Sequence, residues 1–258
     1  MELIRSRDNA RVKLWSRVCA DARTRRELGL CIVEGAHLVG DCLRQGVAVV
    51  SMLASEDSID DAEIACLLHA TSASSYALPR GLMGKILDAD SAPRIAAVIR
   101  TPDANIDLAT TRSCVFLDGI QDPGNVGGIL RTAAAFGTEC VVLGPGCADP
   151  WSPKVLRAGM GGHFNTSLLQ TEDLAGAVLQ FGGKVFSTAV SGGQELSTCL
   201  LAGRAGWVFG SEGAGVSVKV QARCAVTVTV PMRGAMESLN VAACAAICLY
   251  EQSRQSAQ

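Results

Sequence analysis

Short, nearly continuous apolar runs alternate with helical segments along most of this chain, and that alternation limits the fold more than any other feature. From Ser113 onward, "CVFLDG", "CVVLG", "KVFSTAV", "GWVFG" and "VTVTVPM" read as strands. Between and after them lie a helix from about Val126, a short one around Val155 to Met160, one from Glu172 and a long terminal helix from about Glu237. Val-rich strands without polar alternation are apolar on both faces, which suits a mainly parallel sheet covered by helices on both sides. Aromatic residues make up only 4% of the chain and apolar residues 48%, so Val, Leu, Ile and Ala must build the core. An α/β layering follows, in preference to an aromatic-rich sandwich.

The first hundred residues carry their own alternation. "SRDNARVKLWSRVCADARTRRELGL" reads as helix, with Ser6 or Asp8 able to cap it and Val12, Leu14, Trp15 and Val18 as its apolar stripe. "CIVEGAHLVGDCLRQG" reads as strand, turn and helix ending at Gly46; "VAVVSMLAS" as a buried strand; "DDAEIACLLHA" as helix; "RIAAVIR" as a closing strand. Residues 1–100 are therefore expected to form a small α/β domain. The polar stretch "TPDANIDLATTR" has no periodic apolar signal, so residues 101–112 are expected to be a linker and 113–258 a second domain.

Charge is distributed unevenly. Residues 1–26 hold eight Arg or Lys against three acids, which leaves a net charge of −7 on the remainder of a chain whose total is −2. A basic arm on an acidic body is the pattern of a polyanion-binding segment, a solvated amphipathic helix being the other reading. The eleven cysteines form no CxxC pair and no His/Cys cluster of zinc spacing, so a reducing compartment and no structural metal are expected. Cys244 and Cys248, at helical i, i+4 spacing, read as small buried apolar residues. No apolar stretch follows the basic N-terminal residues, and the longest nearly apolar run, "VAACAAICLY", is too short to cross a bilayer. A soluble, cytoplasmic protein without membrane contact is expected.

Three strand ends carry unusual chemistry. The first is "FLDGIQDPGNVGGILRTAAAFG", where Gly124, Gly127 and Gly128 stand around the start of a helix although each interior glycine costs about 1 kcal/mol against alanine. Asn125 reads as its N-cap, and Arg131 lies within two turns. The second is "VFGSEGAGVS", a strand followed by a glycine-rich turn with Glu212. The third is "VPMRGAMESLNVAACAA", with Ser238 and Asn240 near a helix start. In parallel sheets ligands bind beyond the carboxyl ends of the strands. "GNVGG" lacks the G-x-G-x-x-G order, and no G-x-x-x-x-G-K-[ST] occurs, so a dinucleotide dehydrogenase or P-loop NTPase is disfavoured. His37, His69 and His163 are dispersed, so no Ser/His/Asp triad is indicated, and His163 in "MGGHFN" reads better as a packed or exposed residue than a site residue.

In order, "DPGNVGGILRTAAAFG", "VFGSEGAGVS" and "VPMRGAMESLNVAAC" resemble the three signature motifs of the SpoU/TrmH class of SPOUT RNA methyltransferases, across roughly residues 114–250. The "RSRDNARVK" and "VEGAHLV" segments more weakly resemble the substrate-binding domain common in that class, a fold similar to a small ribosomal protein. The resemblance implies a C-terminal SPOUT domain with a deep trefoil knot, an N-terminal RNA-binding domain, a homodimer, S-adenosyl-L-methionine as methyl donor, no metal, and a ribose 2′-hydroxyl in structured RNA as acceptor. Ribosomal RNA is preferred over tRNA, because the appended domain accompanies several ribosomal-RNA enzymes of the class. A tRNA 2′-O-methyltransferase, an inactive RNA-binding homologue and a base-nitrogen methyltransferase are the alternatives.

Carried over residue by residue, the resemblance places Asn125, Arg131, Glu212, Ser238 and Asn240 in the catalytic motifs. Gly210, Val230 and Leu239 fall where backbone holds the adenosyl group, with Met232 nearby. A guanidinium is hardly ever deprotonated, so Arg131 is better suited to binding phosphate-ribose and stabilising alkoxide charge than to acting as base. The first motif lies at the dimer interface in this class, so Gly127 and Gly128 are expected to admit a neighbouring chain. The basic arm, with Arg5, Arg7 and Lys13, is expected to clamp RNA through phosphate contacts.

Overall fold

The computed structural model describes residues 1–89, 91–103, 105–234 and 237–256. Residues 235 and 236, inside the third motif, lie outside the described residues. The chain forms two compact units, Met1–Pro102 with Asp149–Phe164, and Asp103–Ala148 with Asn165–Gln258.

In the first unit, strands β1 (Glu2–Leu3), β2 (Leu30–Glu34), β3 (Val49–Ser55), β4 (Ser74–Leu78) and β5 (Ile95–Arg100) form one sheet in the order β1-β4-β3-β5-β2. β1, β4 and β3 run parallel, and β5 pairs antiparallel with β3 and β2. Helices α1 (Ala10–Ala20), α2 (Ala22–Leu28), α3 (Ala36–Arg44), α4 (Ala62–His69) and α5 (Arg80–Leu87) cover it. Trp15 and Val18 of α1 pack with Met83 and Ile86 of α5 in one apolar cluster, and Leu38, Val39 and Cys42 of α3 with Ile64 of α4 in another. β4 and α5 are elements that the sequence pattern did not single out.

The single first helix expected is two. Asn9, rather than Ser6 or Asp8, caps α1, its Oδ1 accepting from the Arg11 N–H at 2.8 Å, while the Ser6 hydroxyl accepts from the Asp8 N–H. Asp21 then leaves helical geometry at φ −119°, ψ 117° and caps α2 through the N–H groups of Arg23 and Thr24. A short acidic side chain that competes for backbone donors ends one helix and starts the next, beyond the reach of an imperfect apolar stripe that stops at Val18.

The second unit contains a seven-stranded sheet. In chain order the elements are β6 (Ser113–Asp118), α6 (Pro123–Ala135), β7 (Cys140–Leu143), α7 (Pro153–Gly159), β8 (Ser167–Gln170), α8 (Leu174–Phe181), β9 (Lys184–Thr188), β10 (Gln194–Glu195), β11 (Ala205–Gly210), α9 (Val218–Gln221), β12 (Val226–Thr229) and α10 (Val241–Ser256). The strand order is β10-β12-β9-β11-β6-β7-β8, and every pairing is parallel. Phe116 and Val208 face α8, where Phe181 lies edge-on to Phe116 at 5.9 Å. Trp207 stacks between Phe186 and Phe209, and its Nε1 donates to Gln252 Oε1 of α10 at 2.6 Å, which satisfies the one polar atom of a fully buried indole.

Two organisational expectations change. The stretch 101–112 is no free linker: Leu108 is buried in the second unit's core, and Arg204 donates to the carbonyls of Leu108 and Thr111. The segment Asp149–Phe164, with α7, packs in the first unit. Leu156 joins that unit's core, and buried Arg25 bonds Asp149 at 2.7 Å while donating to the carbonyls of Val18 and Cys19. Of the packed and exposed readings of His163 the structure has the packed one: it is 2% exposed, beside Trp151 and Phe164, with Nε2 against the Pro150 carbonyl at 2.8 Å. Burial pushes its pKa down to about 4.

Candidate active site

A cavity of about 370 Å³ lies in the second unit, among the segments that follow β9, β11 and β12. Gly210, Glu212, Val230, Met232, Ser238 and Leu239 all line it, so residues far apart in the sequence meet at the strand ends as the parallel sheet requires. Thr188 and Gln221, not singled out from the sequence, complete part of the wall together with Cys244, which is half-buried there while Cys248 is buried as expected. The strand-end rule that selected the three loops also applies to β9, whose continuation "AVSGG" carries its own glycine pair.

The second loop is tightly wound. A methyl group at Gly210 would stand 2.1 Å from the carbonyl carbon of Gly215, so only glycine fits there. Gly215 has φ +67°, its N–H donates to the Ser211 carbonyl at 2.8 Å, and the Ser217 N–H donates to Asp118 at 2.7 Å. The end of β6 thus ties down the turn after β11, with which it pairs.

Asp122, not Asn125, caps α6: its Oδ1 accepts from the Asn125 N–H at 2.8 Å, and Pro123 opens the helix. The helix therefore begins three residues before Val126, and Asn125, 8% exposed, has a free side chain inside its first turn. That amide joins all three loops. Its Nδ2 donates to the Glu212 carboxylate, and its Oδ1 accepts from Asn240 Nδ2 at 2.8 Å. Asn240 in turn accepts from the N–H groups of Ala242 and Ala243, so α10 begins at Val241 rather than near Glu237.

Two glycines of the first loop, Gly124 and Gly128, have close neighbours within the chain. A methyl group at Gly128 would lie 3.3 Å from Cβ of Ala242, so Gly128 lets α10 approach α6 closely. A methyl group at Gly124 would lie 3.0 Å from the capping Asp122 carboxylate. At Gly128, the close neighbour is the chain's own last helix.

Arg131 stands apart from the Asn125–Glu212–Asn240 chain. It lies on the exposed side of α6 and, among the described residues, makes no hydrogen bond or ion pair. In the first unit, Arg5 pairs with Glu56 at 3.2 Å and Lys13 with Asp8 at 3.3 Å, while Arg7 is exposed and, among the described residues, unpaired.

The cavity suits an S-adenosyl group. Val230, Met232 and Leu239 offer apolar surface, the wound loop from Gly210 to Gly215 offers backbone donors and acceptors at close range, and the volume falls in the range of small-molecule sites. Among the described residues, no group of three or more His, Cys, Asp or Glu is arranged to hold a metal, and no helix is long and apolar enough to cross a membrane.

A family model described as the SpoU rRNA methylase family matches residues 112–250. The chain is 32% identical to the 23S rRNA (guanosine(2553)-2′-O)-methyltransferase RlmP of Bacillus subtilis, over 97% of this chain and 98% of that protein. Over 55% of the chain and 58% of the relative, it is 36% identical to the 23S rRNA (guanosine-2′-O-)-methyltransferase RlmB of Coxiella burnetii. Among solved structures, the SpoU methyltransferase AviRb of Streptomyces viridochromogenes in complex with AdoMet superposes with a TM-score of 0.86 at 25% identity, covering 96% of this chain and 98% of that one. A putative RNA methyltransferase of the TrmH family from Porphyromonas gingivalis superposes with a TM-score of 0.82 at 31% identity, covering 96% and 99%.

Proposed function

The chain belongs to the SpoU rRNA methylase family, and on that premise we propose that it methylates a ribose 2′-hydroxyl of ribosomal RNA with S-adenosyl-L-methionine as donor. The observation that carries this reading is the meeting of the second and third motifs at one cavity, tied to the first motif by Asn125, which hydrogen-bonds both Glu212 and Asn240. Ribosomal RNA is favoured over tRNA because relatives matching nearly the whole chain and just over half of it carry ribosomal-RNA names.

When bound, the donor supplies a methyl group on a cationic sulfonium, open to in-line displacement. The protein's work is to hold donor and sugar in near-attack geometry and to manage one proton. Gly210, Val230, Met232 and Leu239 hold the donor. The Asn125 amide fixes the Glu212 carboxylate by donating to it, and Asn240 fixes the amide by donating in turn. Glu212 and Ser238, both on the cavity wall, then orient the incoming sugar. Arg131, with no partner of its own among the described residues, is free to take a phosphate or a developing alkoxide in its planar fork.

The active form in this reading is a homodimer, with the C-terminal segment threaded as a trefoil knot. Exposed apolar side chains at the end of α6 and on α10 support an interface: Phe136, Ile247 and Tyr250 are 37%, 40% and 57% exposed, and the Phe136 and Tyr250 rings pack edge to face at 6.1 Å. The first unit, carrying Arg5, Arg7 and Lys13, serves as the RNA clamp, and the protein works in the cytoplasm. Transfer of labelled methyl from the donor to purified ribosomal RNA, compared with tRNA, tests the substrate. Label is expected on ribosomal RNA; label confined to tRNA would replace the substrate, and none on either would remove the enzymatic reading.

A further inference from the structure

Gln221, the last residue of α9, brings the one side-chain amide among the described residues of the cavity wall, and the three motifs leave it without a role. Its tip is held from behind. The Nε2 donates to the Thr227 hydroxyl at 3.3 Å, and that hydroxyl shares a second hydrogen bond with the Ser187 hydroxyl at 3.2 Å. Ser187 is fully buried, and it stands in register with Thr227 across β9 and β12, so the amide is anchored to the sheet itself. The anchor leaves the Oε1 acceptor and the second Nε2 hydrogen for another partner.

Gln221 also stands on the side of the cavity away from the reacting groups. Successive strand residues face opposite sides of a sheet. Val208 of β11 packs with Val220 of α9, whereas Trp207 bonds Gln252 of α10, so α9 and α10 cover opposite faces. Gly128 of α6 lies against Ala242 of α10, which puts α6, and the Asn125 that holds Glu212, on the α10 side. A donor whose methyl group points to that side extends its remote parts toward α9. One remote part, the amino-acid tail, carries a carboxylate, and the described residues of the wall include no Lys, Arg or His to neutralise it. Adenine fits better: Val216 and Val230 offer apolar surface to its faces, and a glutamine amide pairs with an adenine edge through one acceptor and one donor.

We propose that Gln221 selects the adenine base of the methyl donor, its Oε1 accepting from the exocyclic amine and its remaining Nε2 hydrogen donating to a neighbouring ring nitrogen. This inference rests on the cavity being the donor site. Thr227 is a positioning residue: by accepting from Nε2 it keeps Oε1 turned toward the base. A base with a carbonyl in place of the amine sets two acceptors against each other and leaves both unpaired.

The test compares calorimetric affinities of the full-length protein for S-adenosyl-L-homocysteine and S-inosyl-L-homocysteine, which differ only in that amine or carbonyl and in the adjoining ring proton. The parent should prefer the adenosyl ligand by at least about tenfold, the scale of a lost hydrogen bond with an acceptor left unpaired. Gln221→Leu should weaken the adenosyl ligand about tenfold and leave the inosyl ligand nearly unchanged, so that the preference largely disappears. Thr227→Val, which keeps the glutamine but frees its tip, should lose part of the preference, again without weakening the inosyl ligand. Equal weakening of both ligands in Gln221→Leu, or an undiminished preference there, would overturn the assignment. Failure of the parent to bind either ligand would instead contradict the donor-site reading, and the assignment with it.

Discussion

Asn240 donates to the side-chain oxygen of Asn125 at 2.8 Å, joining residues 115 positions apart in sequence. Asn125 passes the contact on to Glu212, so three loops share one hydrogen-bonded chain. Asn125→Ala deletes its centre without touching the cavity wall. Methyl transfer should fall by about 100-fold, the scale seen when one preorganised polar group is removed, while calorimetric affinity for the donor stays near that of the parent. Near-normal turnover would take Asn125 out of the machinery.

Gly210→Ala places a methyl group 2.1 Å from the backbone of Gly215, and backbone cannot step aside as a side-chain tip can. The loop must unwind, so donor affinity should drop at least about tenfold, which corresponds to 1.4 kcal/mol. Titration calorimetry reads this directly. Unchanged affinity would mean that the wound loop does not hold the donor.

Arg131→Ala should keep donor affinity and lose methyl transfer by at least about 100-fold. Arg131→Lys should also be poor, because a point charge cannot make a two-pronged contact. If lysine restores full activity, the planar fork is not what the reaction uses.

His163 makes one part of stability depend on pH. Its folded pKa is about 4, below the ordinary histidine value of 6.5, so the unfolded chain binds the proton first as pH falls. Its contribution is complete above about pH 6.5 and is lost progressively toward about pH 4, a loss of roughly 3 kcal/mol over that window. Between pH 6.5 and 5, before most carboxylates titrate, His163→Gln should flatten the fall in denaturant midpoint. An unchanged slope would contradict the burial argument.

Among the basic-arm residues, Arg7→Ala should weaken RNA binding more than Arg5→Ala or Lys13→Ala, because Glu56 and Asp8 already neutralise the latter two. The effect should appear as a shallower dependence of affinity on salt. Equal effects from all three would mean that RNA displaces both surface pairs.

The strands of the second unit were legible because each is a short Val-rich run bounded by glycine or polar residues, and the loops were legible because strand ends are where such sheets bind ligands. What escaped depended on competition or on distance. Asp122 takes the cap of α6 from Asn125 because Pro123 fits the first helical position, and only that shift frees the Asn125 amide for Glu212 and Asn240. Asp21 divides a segment that reads as one helix. Nothing local in "DPWSPKVLRAGMGGHF" says that it packs with the first unit; the Arg25–Asp149 pair that anchors it spans 124 residues. Ile106 and Leu108 are too few in a polar stretch to set a period, yet Leu108 is buried and Ile106 packs against the same core.

The central claim is that this site places a methyl group on a ribose oxygen. Ribosomal RNA incubated with the protein and donor carrying a heavy-isotope methyl, then digested to nucleosides and analysed by mass spectrometry, tests it most directly. The heavy methyl is expected on the ribose fragment of one nucleoside, with none in Arg131→Ala. Heavy methyl retained on the base, or none transferred by a protein that binds the donor, would contradict it.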